Sequence, residues 1–290
     1  MERSMWSKIV ELVGRERAGR PDGRFTFTDT DIVLTYLWAV LHDRPISWAC
    51  RASNWPIYEW RRAHPTPSTM TRRLRSESVR SLFDTLVSRL GRSLGRDDLV
   101  FAVDAKPLPI GGASGDPDAR FGRAARGKAK GYKLHVIAGE SGAILAHEVW
   151  PMNVDERPVA RSLIRRAAIN DVLLGDGNYD TNYLYDEAGV RGVQLIAPKR
   201  YPDAKGLGHH RHSRWRIRCL DALAEGEGSG AATLLERRGF IERTFGNLVS
   251  APSGLGDLPA WVRRLQRVRR WVKAKLMLFM LGRTATQQAE

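Results

Sequence analysis

The sequence predicts an α/β protein in which a mixed sheet is preceded by an all-α module. Three observations carry this reading. Apolar residues recur at helical spacing from Phe25 to about Leu90. The polar, glycine-broken stretch GRSLGRDD (91–98) then interrupts the pattern. Beyond it, short apolar runs come first and then alternate with helical segments, the signature of an α/β layer fold. A boundary is expected near residue 96, giving a helical N-terminal module over 1–96 and a sheet domain over 97–290. A chain of 290 residues that is 42% hydrophobic can bury two cores of ordinary size.

Taken in order, Thr28 or Asp29 is placed to cap a helix whose apolar face is Ile32, Val33, Tyr36, Leu37, Val40 and Leu41. Pro65-Thr66-Pro67-Ser68 breaks the chain, with Ser68 as the expected N-cap of the next helix. Met70, Leu74, Val79, Leu82, Phe83, Leu86 and Leu90 mark its buried faces. Arg72, Arg73 and Arg75 fall in its first two turns, as in helix-turn-helix modules that meet DNA, although solvated arginines on a bundle read the same way. LVFAVDAKPLPI (99–110) is a strand carrying Asp104, and 131–139 with 143–150 form a hairpin about Glu140-Ser141-Gly142. A helix over 156–169, a strand at 172–175, a helix from Tyr179 to Ala188, a strand over 193–198 and a helix over 232–249 follow. The least structured stretches are expected at 111–131 and from Tyr201 to Gly230.

Charge is the strongest global feature. Against 32 acids stand 47 Lys and Arg, a net +15, which favours polyanions and nucleic acid first among them. Cys50 and Cys219 are far apart and outside any metal-binding spacing, so both are read as reduced thiols. No secretory segment opens the chain, and Leu276–Leu281 is too short an apolar run to span a bilayer. A soluble, cytoplasmic protein without membrane partners is expected.

Three acids occupy awkward places. Asp104 ends one apolar strand, Asp176 ends another in VLLGDGNYDT (172–181), and Glu242 lies between Ile241 and Phe245 in RRGFIERTFGNL (237–248). Any one of them is ordinary turn or surface chemistry. Together they fit a rim where strand ends open and a passing helix adds a carboxylate. Three converging carboxylates need a cation, and an all-oxygen set suits Mg²⁺ or Mn²⁺, two of which promote in-line displacement at phosphorus. Gly177 would leave space beside Asp176, and Asp180 would cap or pair within the following turn. Glu148 and Glu236 are weaker alternatives, Glu236 lying six residues before Glu242 on the same helix.

Four blocks in series, VDAKPLPI, GYKLHVI…GAILAHEVWPMNVDE, LLGDGNYDTNYLYDEAGVRGVQLIAPKR and RRGFIERTFGNL, resemble the DDE-type transposases of bacterial insertion sequences over residues 99–281. The resemblance implies a ribonuclease-H-like catalytic core with Asp104, Asp176 and Glu242 as catalytic, metal-holding triad. It also implies two Mg²⁺ or Mn²⁺ ions when DNA is bound, and Arg238 gripping a DNA phosphate. Leu235 and Val249 depart from the fuller pattern, which often has Tyr and Lys there. The implied partners are double-stranded DNA, as terminal inverted repeats and as target, and a second copy of the chain on that DNA.

Further DNA contacts are expected from basic stretches. Arg120, Arg126, Lys128, Lys130 and Lys133 lie in an acid-free run from 119 to 133, expected as a loop that orders on a phosphate backbone. Lys133 and His135 share a face that would border the cleft. Arg243 follows Glu242, and Arg263, Arg267 and Arg270 fall on the basic arc of WVRRLQRVRRWVKAK (261–275). The histidines 209, 210 and 212 are read as a polyanion-binding or flexible loop, and Trp215 as packed. Rival readings are a ribonuclease-H-like nuclease without strand transfer, a catalytically inactive DNA-binding regulator, and a sugar-directed acid/base pair, the last disfavoured by the positive charge.

Overall fold

The structure, a computed structural model, describes residues 2–16, 26–57, 63–124, 127–207, 211–226, 228–250 and 252–287. Arg126, His209 and His210 lie outside the described residues. The chain forms two compact units, residues 1–90 with 248–290, and residues 91–247. Among the described residues the helices α1 (Glu2–Arg15), α2 (Asp29–Leu41), α3 (Ile46–Ala49), α4 (Pro67–Arg73) and α5 (Glu77–Leu94) come first. Then follow β1 (Val100–Pro109), β2 (Arg120–Ala124), β3 (Gly127–Gly139), β4 (Ile144–Pro151), α6 (Glu156–Arg166), β5 (Val172–Leu174), α7 (Asn182–Val190) and β6 (Gln194–Ile196). The helices α8 (Arg214–Ala224), α9 (Gly230–Glu236), α10 (Gly239–Val249) and α11 (Leu265–Gln287) come last among the described residues.

The first unit is helical and built on aromatic packing. Trp38 stacks on Trp55 with centroids 4.9 Å apart, and Trp6 meets Trp38 edge-on at 4.8 Å. The two indole N–H groups are satisfied locally, Trp38 donating to Asn54 O and Trp55 to Ala49 O. Thr28 caps α2 in a reciprocal box with Asp31. Leu276 to Leu281 are all buried, so α11 belongs to this core rather than to the sheet domain that was expected to run to 290. Its Lys275, 1% exposed, reaches Asp43 at 2.5 Å.

Two expectations for this unit change. The helix after the prolines is capped by Thr66, with Pro67 in its first turn, not by Ser68. It also breaks after Arg73 before α5 begins, which puts Arg72 and Arg73 in a last turn instead of a first. The buried set Met70, Leu74, Val79, Leu82, Phe83, Leu86 and Leu90 is as expected, because apolar spacing survives the break.

The second unit is the mixed sheet. β1 lies between antiparallel β3 and parallel β5, and β6 pairs parallel beyond β5. The other edge of β3 is shared, β2 taking its first residues and β4 the later ones. The order β4-β3-β1-β5-β6, antiparallel from β4 to β1 and parallel from β1 to β6, is a ribonuclease-H-like arrangement. Val100 to Val103 and Val172 to Leu174 are buried at every position, as parallel strands covered on both faces require.

Elements also appear where little structure was expected: β2 and the start of β3 within 111–131, and α8 within 201–230. The expected helix over 232–249 divides into α9 and α10, and Tyr179 belongs to a separate 3-10 turn (Gly177–Tyr179) ahead of α7. No described helix is long and apolar enough to cross a membrane.

One buried group links this sheet to pH. His135 on β3 is 1% exposed, and burial first, with Lys133 beside it, holds its imidazole down at about 4 although Glu156 and Glu148 pull upward. The unfolded chain therefore takes up this proton first as pH falls below about 6.5, and native stability is lost progressively towards pH 4. Urea unfolding at pH 5 should show about 2 kcal/mol less stability than at pH 7 from this group. His135→Leu should remove that part of the loss, and an unchanged pH dependence would contradict the assignment.

Candidate active site

The register of β1 against β5 places the first two acids. Val100, Phe101 and Ala102 pair with Val172, Leu173 and Leu174, and Asp104 and Asp176 each lie two residues further on. Neighbouring strands run about 4.8 Å apart, so the two carboxylates leave the sheet on adjacent tracks. Asp104 is half-buried, its Oδ1 accepting from Ala105 N at 2.7 Å. Burial pushes its carboxyl up to about 6, Asp176 and Glu156 push the same way, and the Ala105 N–H and Arg238 pull down.

Asp176 is turn chemistry and site geometry at once. Its Oδ1 accepts from Asn178 N at 2.8 Å, capping the 3-10 turn Gly177–Tyr179. The glycine that this fold-back needs is Gly175, where an added Cβ would stand 3.0 Å from the Tyr179 Cβ. At Gly177 the nearest atom would be Arg200 Cα at 3.4 Å, an ordinary contact, so the space expected of Gly177 is required of Gly175 instead. Asp180 does not pair within the turn as expected. Its side chain is 0% exposed and takes Arg216 from α8 in two bonds, at 2.6 and 2.8 Å, with Arg200 N at 3.0 Å.

Arg238 lies in the break between α9 and α10 and touches two acids. It donates to Asp104 Oδ2 and to Glu242 Oε1, each at 3.2 Å. Both contacts are longer than the 2.7–2.9 Å or so of a tight charge-assisted bond. The Glu242 side chain is 68% exposed, so this i,i+4 pair is a loose one, worth about 0.3–0.5 kcal/mol. Glu236 closes α9 and thus sits on a different helix from Glu242. Glu148 on β4 is engaged by Ser162, Trp150 and Arg166.

A fourth acid escaped the sequence reading. Glu156 opens α6, where an acid in a first turn is ordinary helix chemistry, and nothing in the sequence sets it apart. Here its Oε1 takes Lys133 Nζ at 2.5 Å and its Oε2 takes Asn178 Nδ2 at 3.1 Å, while its charge reaches Asp104. Tyr179 completes the group. Its hydroxyl is buried without a hydrogen-bond partner, and burial with Asp104, Glu156 and Asp176 nearby holds it well above the ordinary tyrosine range.

The basic residues separate into free and committed. Arg73 is buried against Asp29 and Phe27 O, and Lys133 is 7% exposed and tied to Glu156, so neither presents its charge outward as expected. Arg120, Lys130 and Arg263 donate to backbone carbonyls of Pro117, Ser114 and Pro259. Arg72, Lys128, Arg243 and Arg267 are exposed, and Arg270 is partly covered. Trp215 packs over Gly189 with the Arg214 guanidinium 4.1 Å from its ring, as a packed tryptophan should.

Among the described residues no group of three or more His, Cys, Asp and Glu side chains stands ready to enclose a metal ion. The donor chemistry nonetheless suits a hard cation. All the acids at this end of the sheet offer oxygen, burial holds the Asp104 carboxyl high with Asp176 and Glu156 adding to it, and a buried hydroxyl has no partner. Arg238 supplies the positive charge between Asp104 and Glu242.

The fold is that of a ribonuclease-H-like protein, with Asp104 and Asp176 just beyond the paired ends of two parallel strands. Residues 95–281 match the family described as Transposase DDE domain, and the chain belongs to that family. Phosphoryl transfer on DNA is the chemistry of that family, and DNA transposition the process it serves. No curated protein and no solved structure matches the chain.

The turn that carries Asp176 depends on the buried pair behind it. Arg216→Met leaves the Asp180 charge buried and should cost about 3–5 kcal/mol of stability. Urea denaturation reads that loss, and adding Asp180→Asn should recover most of it. A single variant as stable as the parent would show that the pair does not anchor the turn.

Proposed function

We propose that this chain is an insertion-sequence transposase that binds the element's terminal inverted repeats and catalyses divalent-metal-dependent strand cleavage and strand transfer. The observation that carries the reading is the parallel register that puts Asp104 beside Asp176, with Arg238 spanning from Asp104 to Glu242. Asp104, Asp176 and Glu242 would hold Mg²⁺ or Mn²⁺, two ions with DNA bound. When bound, such ions supply Lewis-acid stabilisation of the attacking and leaving oxygens at phosphorus.

The chain's own residues do the rest. Asp104 and Asp176 offer two carboxylates on a rigid pair of strands, so their separation is set by the sheet and not by flexible loops. Glu242, exposed and loosely held, can turn toward them. Arg238 then loses its two acid partners, and its guanidinium takes a DNA phosphate, for which its planar fork is suited. Lys133 and Asn178 hold Glu156 at the cleft and keep it oriented. Exposed Arg72, Lys128, Arg243 and Arg267 contribute phosphate contacts along the DNA, and two copies of the chain act on one pair of ends.

Asp104→Asn, Asp176→Asn and Glu242→Gln should each lower Mg²⁺-dependent nicking of DNA carrying the element's ends by about 100-fold or more, with DNA binding kept. Full nicking by any one variant removes that residue from the site. The nuclease reading is separated by a joined product with target DNA, which only strand transfer yields.

A further inference from the structure

The helical unit carries an arginine-rimmed groove that neither the acids nor the family match accounts for. Its volume is about 580 Å³, within the usual range of ligand pockets. Three stretches remote in sequence build it: the turn from α2 into α3, the end of α4, and the segment running from Trp261 into α11. Arg75, Arg267 and Arg270 line it together with Arg44. Arg270 is partly buried there, and burial with the nearby charges of Arg75, Arg267 and Arg80 lowers its hold on its proton, opposed by Tyr36. Among the described residues no carboxylate pairs with Arg75, Arg267 or Arg270. Like charges gathered without an acid are a standing repulsion, which an anion relieves.

Apolar side chains line the same groove. Trp261 is 42% exposed, the largest exposed aromatic surface of this groove, and Ile46, Leu74 and Trp271 lie beside it. Guanidinium groups and an accessible indole lining one groove suit a ligand that joins an anion to a flat ring system. A duplex laid across the groove would meet the arginines with phosphates but leave the indole without a partner, because its bases are stacked inside. An unpaired nucleotide satisfies both kinds of lining, its phosphate on the arginines and its base on the indole.

We infer that this groove binds an unpaired nucleotide of a DNA strand, its base stacked on Trp261 and its phosphate held by Arg75, Arg267 and Arg270. The inference rests on the transposase reading for its choice of DNA as the source. It extends that reading by naming a site for single-stranded DNA away from the acids, in a part of the chain expected only to contact duplex. Arg73, although adjacent in sequence, takes no part, since it is buried against Asp29.

Fluorescence anisotropy of the full-length chain in EDTA tests it, so that no cleavage intervenes. The probes are a short blunt duplex and the same duplex with a single-stranded extension, with AMP as competitor. The extended probe should bind more tightly. Trp261→Ala should lower its affinity about tenfold and collapse the preference for it, while Trp261→Phe restores most of the preference. Arg267→Gln with Arg270→Gln should weaken both probes. Equal affinities of wild-type protein for the two probes, or a Trp261→Ala protein that keeps the preference, would overturn the inference. Displacement by AMP at concentrations that leave the extended probe no advantage would assign the groove to free nucleotides and overturn it too. Normal metal-dependent nicking alongside either failure leaves the transposase reading standing, whereas loss of both nicking and all DNA binding removes that reading as well.

Discussion

Two carboxylates carried out of a sheet on adjacent parallel strands repel each other, and basic side chains pair with the acids around them. Asp104 registers the conflict by its raised carboxyl, pushed up by burial and by the neighbouring acids. Arg238 and Lys133 supply compensating charge, one between Asp104 and Glu242 and the other against Glu156. The difference between the two lies in burial. Lys133 is enclosed and committed, whereas Arg238 makes two long contacts, one of them to a largely exposed acid. The proposed binding of a cation and a phosphate would call for a movable countercharge of the second kind.

Behind the cleft, rigidity comes from a different source. The turn carrying Asp176 is fastened by Asp180, whose buried carboxylate holds Arg216 from α8 and the backbone of Arg200. Such a pair is costly to desolvate, and its value lies in permitting one arrangement of turn, strand end and helix. Tyr179, folded over Gly175, closes the same turn from inside. Adjacent acids in GDGNYD thus have opposite fates, Asp176 facing the site and Asp180 the core.

The arginines divide in a similar way. A net charge of +15 is a property of the whole chain and says nothing about which guanidinium is free. Arg73 and Arg216 are internal, holding Asp29 and Asp180. Arg267 and Arg270 face a groove with other arginines and, among the described residues, no carboxylate partner. Apolar periodicity disclosed α2, the faces of α4 and α5, and the strands around Asp104 and Asp176, because burial of one face is a local pattern. Breaks inside helical patterns, at 74–76 and at 237–238, left no such trace, since apolar spacing continues across them. Glu156 was silent for a related reason: a first-turn acid has an adequate local explanation.

By itself the sequence determined the class of fold, the strands that carry Asp104 and Asp176 with the helices of clearest apolar spacing, and the three acids worth attention, because these follow from apolar spacing and from polar residues placed where apolar ones belong. Only the tertiary structure decided that Glu156 and Tyr179 join those acids, that α11 completes the helical core, and that three distant stretches enclose an arginine groove. Those outcomes depend on strand register and on which helices pack together, and both are set by contacts between residues tens to hundreds of positions apart, which local pattern does not encode.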